Sequence, residues 1–159
     1  MQASQSSILF VCLGNICRSP LAEGVCRDEL AQRGIGNSIR VDSCGTSAWH
    51  AGEPPDPRSR EVALLHGIDI AMQRSRRLEE SDYDAYEWIV AMDGSNEADC
   101  AARAPGTSRA KIVRFMDFVP AATMRDVPDP YYGGDDGFQK VFELLKSGMG
   151  PLVDAVLSD

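Results

Sequence analysis

The sequence contains no apolar run that could cross a membrane. Its longest uninterrupted apolar stretch, residues 8–13, is far shorter than the roughly 20 residues that a spanning helix needs. The opening residues, MQASQSS, also lack the positive charge and the apolar core of a secretory signal peptide. We therefore expect a cytoplasmic protein with no membrane partner.

The cysteine spacing of disulfide frameworks and zinc sites is missing as well. The five cysteines form no C-x-x-C pair, and an odd number suits neither a set of disulfides nor a zinc ribbon. We expect most of them to be small buried side chains. The cysteine spacing therefore does not predict a structural zinc site.

Positive charge is scarce in this chain. Only 16 Lys and Arg residues stand against 24 Asp and Glu residues, which gives a formal net charge of −8. Nucleic-acid binding rests on the neutralisation of phosphates by clustered Lys and Arg, so the charge balance argues against a nucleic-acid partner. Any phosphate bound by this chain must instead be held by local geometry.

Alternating strand and helix signals predict an α/β fold. Segments rich in β-branched and aromatic residues are typical of strands at residues 8–12, 39–43, 87–92 and 111–115. Helix signals follow at residues 20–33, from Asp56-Pro57 to Gly67, from Ser95 to about Arg103, and from Asp135 onward. Strands separated by helices imply a parallel sheet, and length and composition fit a single domain over residues 1–159. Gly148, Gly150 and Pro151 should break or kink the last helix.

Residues 12–20, CLGNICRSP, join the first predicted strand to the first predicted helix. Cys12 and Arg18 form a C-x5-R pair, which by itself occurs readily by chance. Between a strand and a helix start, however, successive backbone N–H groups can curl into a nest for an oxyanion, and the helix N-terminus adds positive potential. Gly14 and Asn15 tolerate the left-handed backbone that such a curl requires.

Arg18 and Cys12 have complementary uses in such a nest. The planar guanidinium of Arg18 grips two oxygens at once, which a lysine does not do. The same N–H dipoles and positive charge favour the thiolate form of Cys12, so the loop would hold a nucleophile aimed at phosphorus. The alternative is a buried cysteine at a strand end beside a surface arginine.

Five segments distributed along the chain share one resemblance: VCLGNICRSP, DSCGTSAWHAGEPPDPRS, HGID, AMDGSN and DPYYGGDDGF. Their order and spacing resemble those of the low molecular weight protein tyrosine phosphatase family over nearly the whole chain. The resemblance implies a flavodoxin-like, three-layer αβα fold with a four-stranded parallel sheet and the phosphate loop at the carboxyl end of the first strand. It also implies hydrolysis of phosphotyrosine proteins or peptides, and of small aryl phosphates, through a cysteinyl-phosphate intermediate, with inorganic phosphate as product and no metal or cofactor.

The resemblance also implies the catalytic residues. Cys12 is the nucleophile, Arg18 binds the phosphate and stabilises the transition state, and Asp129 is the general acid and base. From the residues alone, Asp126 competes with Asp129, because an Asp-Pro pair commonly starts an ordinary turn. The remaining phosphate-loop residues are Leu13, Gly14, Asn15, Ile16, Cys17 and Ser19.

Hydrogen-bonding residues around the loop have two interpretations each. Ser19 is an N-cap of the first helix, or its hydroxyl bonds the Cys12 thiolate as the family resemblance suggests. Asn15 and Ser43 resemble the family's supporting network beneath the loop, with ordinary turn and strand-end residues as the alternative. Mammalian members carry a second histidine six residues after the one that matches His66. This chain has Met72 there, so we expect the network to differ at that position.

Aromatic residues and a second thiol complete the predicted site. Trp49, Tyr131 and Tyr132 lie in two long loops, and the resemblance implies that they wall a deep cleft, whereas surface packing is the alternative. Such a cleft favours phosphotyrosine over the shorter phosphoserine. His50, beside Trp49, either influences the preference for peptides or, as we expect, is a solvated loop residue. The resemblance further suggests that Cys17 traps oxidised Cys12 as a disulfide, the alternative being a small side chain in the core.

Other functions use similar residues. An arsenate reductase on this fold needs two further cysteines after the second helix, but residues 67–99 contain none. A non-catalytic phosphate-binding module would not need both Cys12 and Asp129. Phosphatases specific for arginine phosphate resemble this chain but carry threonine at the position of Ile16, so the isoleucine favours an aryl phosphate.

Overall fold

A parallel four-stranded sheet forms the centre of the molecule, which the computed structural model describes over residues 5–131, 133–134 and 136–159. The strands are β1 Ser6–Cys12, β2 Ile39–Gly45, β3 Trp88–Ala91 and β4 Lys111–Arg114, in the spatial order β2-β1-β3-β4. Neighbouring strands are parallel throughout, which confirms the predicted sheet. β2 runs past its predicted end because it pairs with β1 as far as Cys12 opposite Gly45.

Helices connect these strands. They are α1 Arg18–Gln32, α2 Pro57–Leu65, α3 Asp82–Ala85, α4 Gly94–Arg103 and α5 Asp136–Leu157, with one turn of 3-10 helix at Phe115–Phe118. The short α3 was not predicted, because its four residues are too few to show a helical period. α4 is capped by Asp93 rather than Ser95, since the Asp93 carboxylate accepts the Asn96 N–H at 2.8 Å. In the described part of the chain, no helix combines the length and the apolar character needed to cross a membrane.

α5 runs without interruption through Pro151, so the predicted break is wrong. Buried residues on both sides of the proline, among them Met149 and Leu152, belong to the same core. Their packing outweighs the backbone hydrogen bond that the proline removes. Gly148 has a packing role, because a Cβ at this position would lie 2.8 Å from the Phe115 ring.

The two faces of β1 pack against different helices. Ile8 and Phe10 are buried in the core that contains α1 and α5, whereas Leu9 and Val11 are buried on the opposite face with Cys100 of α4. This alternation follows from the two-residue period of a strand. The molecule is therefore a three-layer αβα fold, and its strand order confirms the flavodoxin-like arrangement.

The strand order places a crevice at the carboxyl ends of the two central strands, β1 and β3. β1 and β3 are neighbours, but α1 packs on one face of the sheet and α4 on the other. Ligands of open α/β sheets bind at the carboxyl ends of strands where the connections diverge in this way. The residues that end β1 and follow β3 therefore lie at the expected place for a site.

Candidate active site

Residues 12–18 form a curled loop at the carboxyl end of β1. Cys12 is the last residue of β1 and Arg18 the first of α1, and each is 3% exposed. Asn15 has a left-handed backbone, with φ at 56°. Gly14 does not share this conformation; it provides space instead, because a Cβ there would lie 3.0 Å from the His50 ring.

The carbonyl groups of the loop point away from its hollow. Four of them accept hydrogen bonds of 2.8–3.0 Å from residues behind the loop: Leu13 from the Ser47 N–H, Gly14 from the Ser75 hydroxyl, Ile16 from the Asp56 N–H, and Cys17 from the Ser59 hydroxyl. Because the C=O and N–H of one peptide plane point in opposite directions, the adjoining N–H groups face the hollow. With the N-terminus of α1, they form a nest suited to an oxyanion.

The Arg18 side chain is anchored on one side. Its Nη1 donates to Asp93 Oδ2 at 2.7 Å and to the backbone carbonyl of Val127 at 3.0 Å. Burial opposes its charge, but its interactions with Cys12 and Asp93 outweigh burial and raise the pKa of Arg18. A fixed guanidinium beside the nest is suited to hold phosphoryl oxygens with its remaining N–H groups.

Asp129 lies on the other side of the same guanidinium. Its Oδ2 is 3.6 Å from Arg18 Nη2, and its Oδ1 accepts the Tyr131 N–H at 3.0 Å. The carboxylate is 41% exposed and lines the cleft whose floor is Cys12. It can therefore reach both a bound phosphate ester and water.

Asp126, the competing candidate for the acid, is occupied elsewhere. Its carboxylate lies 3.2 Å from Arg114 and accepts the Gly94 N–H at 3.0 Å. It does not line the cleft with Asp129. The geometry therefore favours Asp129 over Asp126 as the general acid, a choice that composition alone leaves open.

The Ser19 hydroxyl lies 3.0 Å from the Cys12 sulfur. α1 begins one residue before Ser19, and its N-cap is Cys17, with no side-chain cap bond, so the predicted N-cap role of Ser19 is wrong. Asn15 Nδ2 donates to the Ser19 oxygen at 2.8 Å, which leaves the Ser19 hydrogen for Cys12 or for the more distant Cys44 carbonyl at 3.3 Å. A negative charge on sulfur favours the first acceptor.

The side chain of Asn15 is bonded at both its nitrogen and its oxygen. Nδ2 donates to Ser19 and, at 3.0 Å, to the Ser43 hydroxyl oxygen, while Oδ1 accepts the backbone N–H of Arg76 at 3.1 Å. Met72, which stands where mammalian members carry histidine, is 86% exposed. A backbone group of Arg76 thus closes the network without that side chain.

Aromatic side chains stand at the mouth of the cleft. Trp49 and Tyr131 both line it, and Trp49 is largely exposed at the rim. His50 lines it too, with its ring centroid 6.5 Å from that of Tyr131, so it belongs to the wall rather than to a solvated loop. Tyr132 lies outside the described residues.

The four cysteines other than Cys12 are buried as well. Burial raises the pKa of Cys17 and Cys44 well above the ordinary value, and raises the pKa of Cys26 and Cys100 to about 12. These four therefore remain thiols at neutral pH. Within the described residues, no three His, Cys, Asp or Glu side chains are grouped so that they could hold a metal ion.

Asp93 joins the site although it was not predicted to, and His50 lines the cleft where we expected a solvated loop residue. Asp93 comes shortly after the buried strand β3, and a polar residue at that point of a parallel sheet is a signal that could have identified it. Its pairing with Arg18, however, depends on β1 and β3 being neighbours. His50 reaches the cleft because its segment folds across Gly14, and the sequence carries no signal for that contact.

Comparison of the sequence with known proteins matches the same family over most of the chain. The model of one family, described as low molecular weight phosphotyrosine protein phosphatase, matches residues 7–159. A protein of that description from Schizosaccharomyces pombe is 46% identical over 132 residues, which cover 82% of this chain and 84% of the relative. A low molecular weight protein-tyrosine-phosphatase from Bacillus subtilis is 39% identical over 150 residues, which cover 94% of this chain and 95% of the relative.

The fold is similar to that of a solved structure to the same extent. The crystal structure of a protein tyrosine phosphatase from Entamoeba histolytica matches with a TM-score of 0.91 at 35% identity. The match covers 96% of this chain and 97% of the other. Similarity in sequence and in fold therefore extends over nearly the whole chain.

Proposed function

Because this chain belongs to the low molecular weight phosphotyrosine protein phosphatase family, we propose that it hydrolyses phosphotyrosine in proteins or peptides, and small aryl phosphates, to inorganic phosphate. The observation that carries the proposal is the grouping of Cys12, Arg18 and Asp129 in one cleft, with Asp129 Oδ2 3.6 Å from Arg18 Nη2. The chain acts as one catalytic domain, residues 1–159, in the cytoplasm.

In the first step, the Cys12 thiolate attacks phosphorus. An S–P bond forms, the P–O bond to the aromatic ring breaks, and Asp129 gives its proton to the departing oxygen. The N–H groups of the loop and the Arg18 guanidinium hold the equatorial oxygens of the phosphoryl group in the transition state.

In the second step, water replaces the sulfur. The Asp129 carboxylate takes a proton from water as the water oxygen bonds to phosphorus, and the S–P bond breaks to release phosphate. The Ser19 hydroxyl, 3.0 Å from the Cys12 sulfur, stabilises the thiolate as it leaves. The two steps return the enzyme to its starting state without a cofactor.

The depth and lining of the cleft favour an aryl phosphate. Cys12 is only 3% exposed at the floor, while Trp49 and Tyr131 stand at the mouth. A tyrosine ring spans that depth and packs on aromatic walls, whereas a serine side chain is too short to bring its phosphate to the sulfur. Ile16 presents an apolar side chain to the cleft, which suits a ring better than a guanidino group.

The test is a phosphatase assay in excess EDTA. We expect full activity on p-nitrophenyl phosphate, highest at acidic pH, because the thiolate of Cys12 and a protonated Asp129 must be present together. Peptides with phosphoserine or phosphoarginine should show about 100-fold lower kcat/KM than the phosphotyrosine peptide. Loss of activity on chelation would contradict the mechanism, and faster hydrolysis of phosphoarginine would contradict the substrate assignment.

We also propose that Cys17 protects Cys12 from irreversible oxidation. Both thiols line the same cleft and lie five residues apart in the curled loop. Hydrogen peroxide converts the Cys12 thiolate to a sulfenic acid, after which the Cys17 sulfur attacks it, forms an S–S bond and releases water. Because burial keeps Cys17 protonated, its proton must be lost in that step, so closure is slower than for an exposed thiol.

Peroxide treatment tests this protection. We expect mass spectrometry to show a Cys12–Cys17 crosslink, and a thiol reductant to restore most of the activity. Cys17→Ala should lose activity that the reductant does not restore, whereas Cys26→Ala, which removes a buried cysteine of α1, should recover like the wild-type protein. Detection of only sulfinic and sulfonic acid at Cys12 of the wild-type protein would refute the proposal.

A further inference from the structure

Glu23 lies at the far end of the hydrogen-bond network beneath the loop. It is on α1 and 5% exposed. Its Oε1 accepts the Ser43 hydroxyl at 2.8 Å, and its Oε2 accepts Arg27 Nε at 3.0 Å. Burial raises the pKa of Glu23, while the bond from Ser43 and the charge of Arg27 oppose that rise. Each carboxylate oxygen nevertheless has a hydrogen-bond donor, and the ion pair with Arg27 favours the charged form.

An ionised carboxylate only accepts hydrogen bonds, and this sets the direction of each bond between Glu23 and Cys12. Ser43 gives its hydrogen to Glu23, so its oxygen receives one N–H of Asn15, at 3.0 Å. The other N–H of Asn15 goes to the Ser19 oxygen at 2.8 Å. Ser19 accepts there and keeps its own hydrogen for the Cys12 sulfur, 3.0 Å away.

The opposite orientation of the Asn15 amide would reverse this chain of bonds. Its oxygen would then accept the hydrogens of Ser43 and Ser19, and Ser19 would have none left for the nucleophile. Two groups oppose the reversal. The Arg76 N–H would face an NH2 group instead of an oxygen, and Glu23 already holds the hydrogen of Ser43.

We propose that Glu23 is a positioning residue, which acts through Ser43 and Asn15 to keep the Ser19 hydroxyl directed at the Cys12 sulfur. A hydrogen bond to a charged sulfur stabilises the thiolate, both before it attacks and when it leaves. The inference rests on the proposed phosphatase function. Its direct consequence, a stabilised thiolate, exists in the free protein and is measurable without substrate.

The experiment measures the rate at which iodoacetamide alkylates Cys12, as a function of pH and without substrate. The variants are Glu23→Leu and Ser43→Ala, alone and combined. Asp28→Leu is the matched control, because Asp28 is an acid of the same helix whose carboxylate bonds Gln32 instead of the network.

We expect the pH of half-maximal alkylation to rise by about one unit in Glu23→Leu and in Ser43→Ala. The combined variant should shift no further, because both residues act through one bond. Asp28→Leu should match the wild-type protein. The sign is diagnostic: removal of a nearby negative charge by itself would favour the thiolate and lower this pH.

A downward or absent shift in Glu23→Leu, or additive shifts in the combined variant, would overturn the positioning role. Thermal unfolding of each variant verifies that it is folded, and Glu23→Met, with an unbranched side chain, replaces Glu23→Leu should the latter not fold. Alkylation does not depend on turnover. If the wild-type protein were inactive on aryl phosphates, the proposed function would be overturned. The alkylation rates would still show whether Glu23 stabilises the Cys12 thiolate.

Discussion

Cys12→Ser is expected to lower kcat on p-nitrophenyl phosphate by at least about 10⁴-fold, because a neutral hydroxyl replaces the thiolate nucleophile. That factor corresponds to about 5.5 kcal/mol of activation free energy. The anion nest consists of backbone N–H groups and Arg18, which the substitution leaves in place. The variant should therefore bind inorganic phosphate within about tenfold of the wild-type affinity, as measured by isothermal titration calorimetry.

Cys26→Ala is the control for this substitution. Cys26 is a fully buried cysteine of the same helix that begins at the loop, and it is absent from the cleft. Its removal should leave kcat near the wild-type value. If Cys12→Ser retained a rate within about tenfold of wild type, Cys12 would not be the nucleophile. Loss of phosphate binding in Cys12→Ser would show that the nest depends on the sulfur.

The segment that carries Asp129 is fixed to the phosphate loop through Val127. This residue is fully buried; its N–H donates to the Met92 carbonyl at 2.8 Å, and its carbonyl accepts Arg18 Nη1 at 3.0 Å. Asp129 follows two residues later, on a backbone already held at both of these points. In the proposed mechanism, the arginine that holds the phosphoryl group therefore also anchors the segment that carries Asp129.

The sheet and most of the helices could be predicted because their signals are local. β-branched runs and helix starts lie within each segment, and the predicted strands all form. The break at Pro151 was wrong because α5 is held by a core assembled from distant segments, which local helix rules do not include. The N-cap at Ser19 was wrong because the curl of the loop starts α1 earlier, at Arg18.

The site could be predicted in part, for a related reason. Cys12 and Arg18 belong to one short loop, so their spacing is visible in the sequence. The contacts of Asp93 with Arg18 and of Glu23 with Ser43 exist only after β1, β2 and β3 have assembled. Asp129 is an intermediate case. The residues alone did not distinguish it from Asp126 as the general acid, but the family resemblance did.

Asp129→Ala should slow the hydrolysis of phenyl phosphate by about 10²- to 10³-fold, because phenolate leaves poorly without a proton. Nitrophenolate is a much weaker base and leaves readily, so kcat on p-nitrophenyl phosphate should fall by about tenfold at most while the first step limits the rate. Steady-state kinetics over a series of substituted phenyl phosphates measures this: log kcat should depend more steeply on leaving-group basicity in the variant than in the wild-type protein.

Asp126→Ala is the matched control, since it removes an equal charge from the same segment. Its carboxylate bonds Arg114 and the Gly94 N–H outside the cleft, so the dependence on leaving-group basicity should stay as in the wild-type protein. An equal loss for good and poor leaving groups in Asp129→Ala would argue against an acid role. Because Asp129 Oδ2 also lies 3.6 Å from Arg18, such a uniform loss would instead indicate that the carboxylate orients the guanidinium.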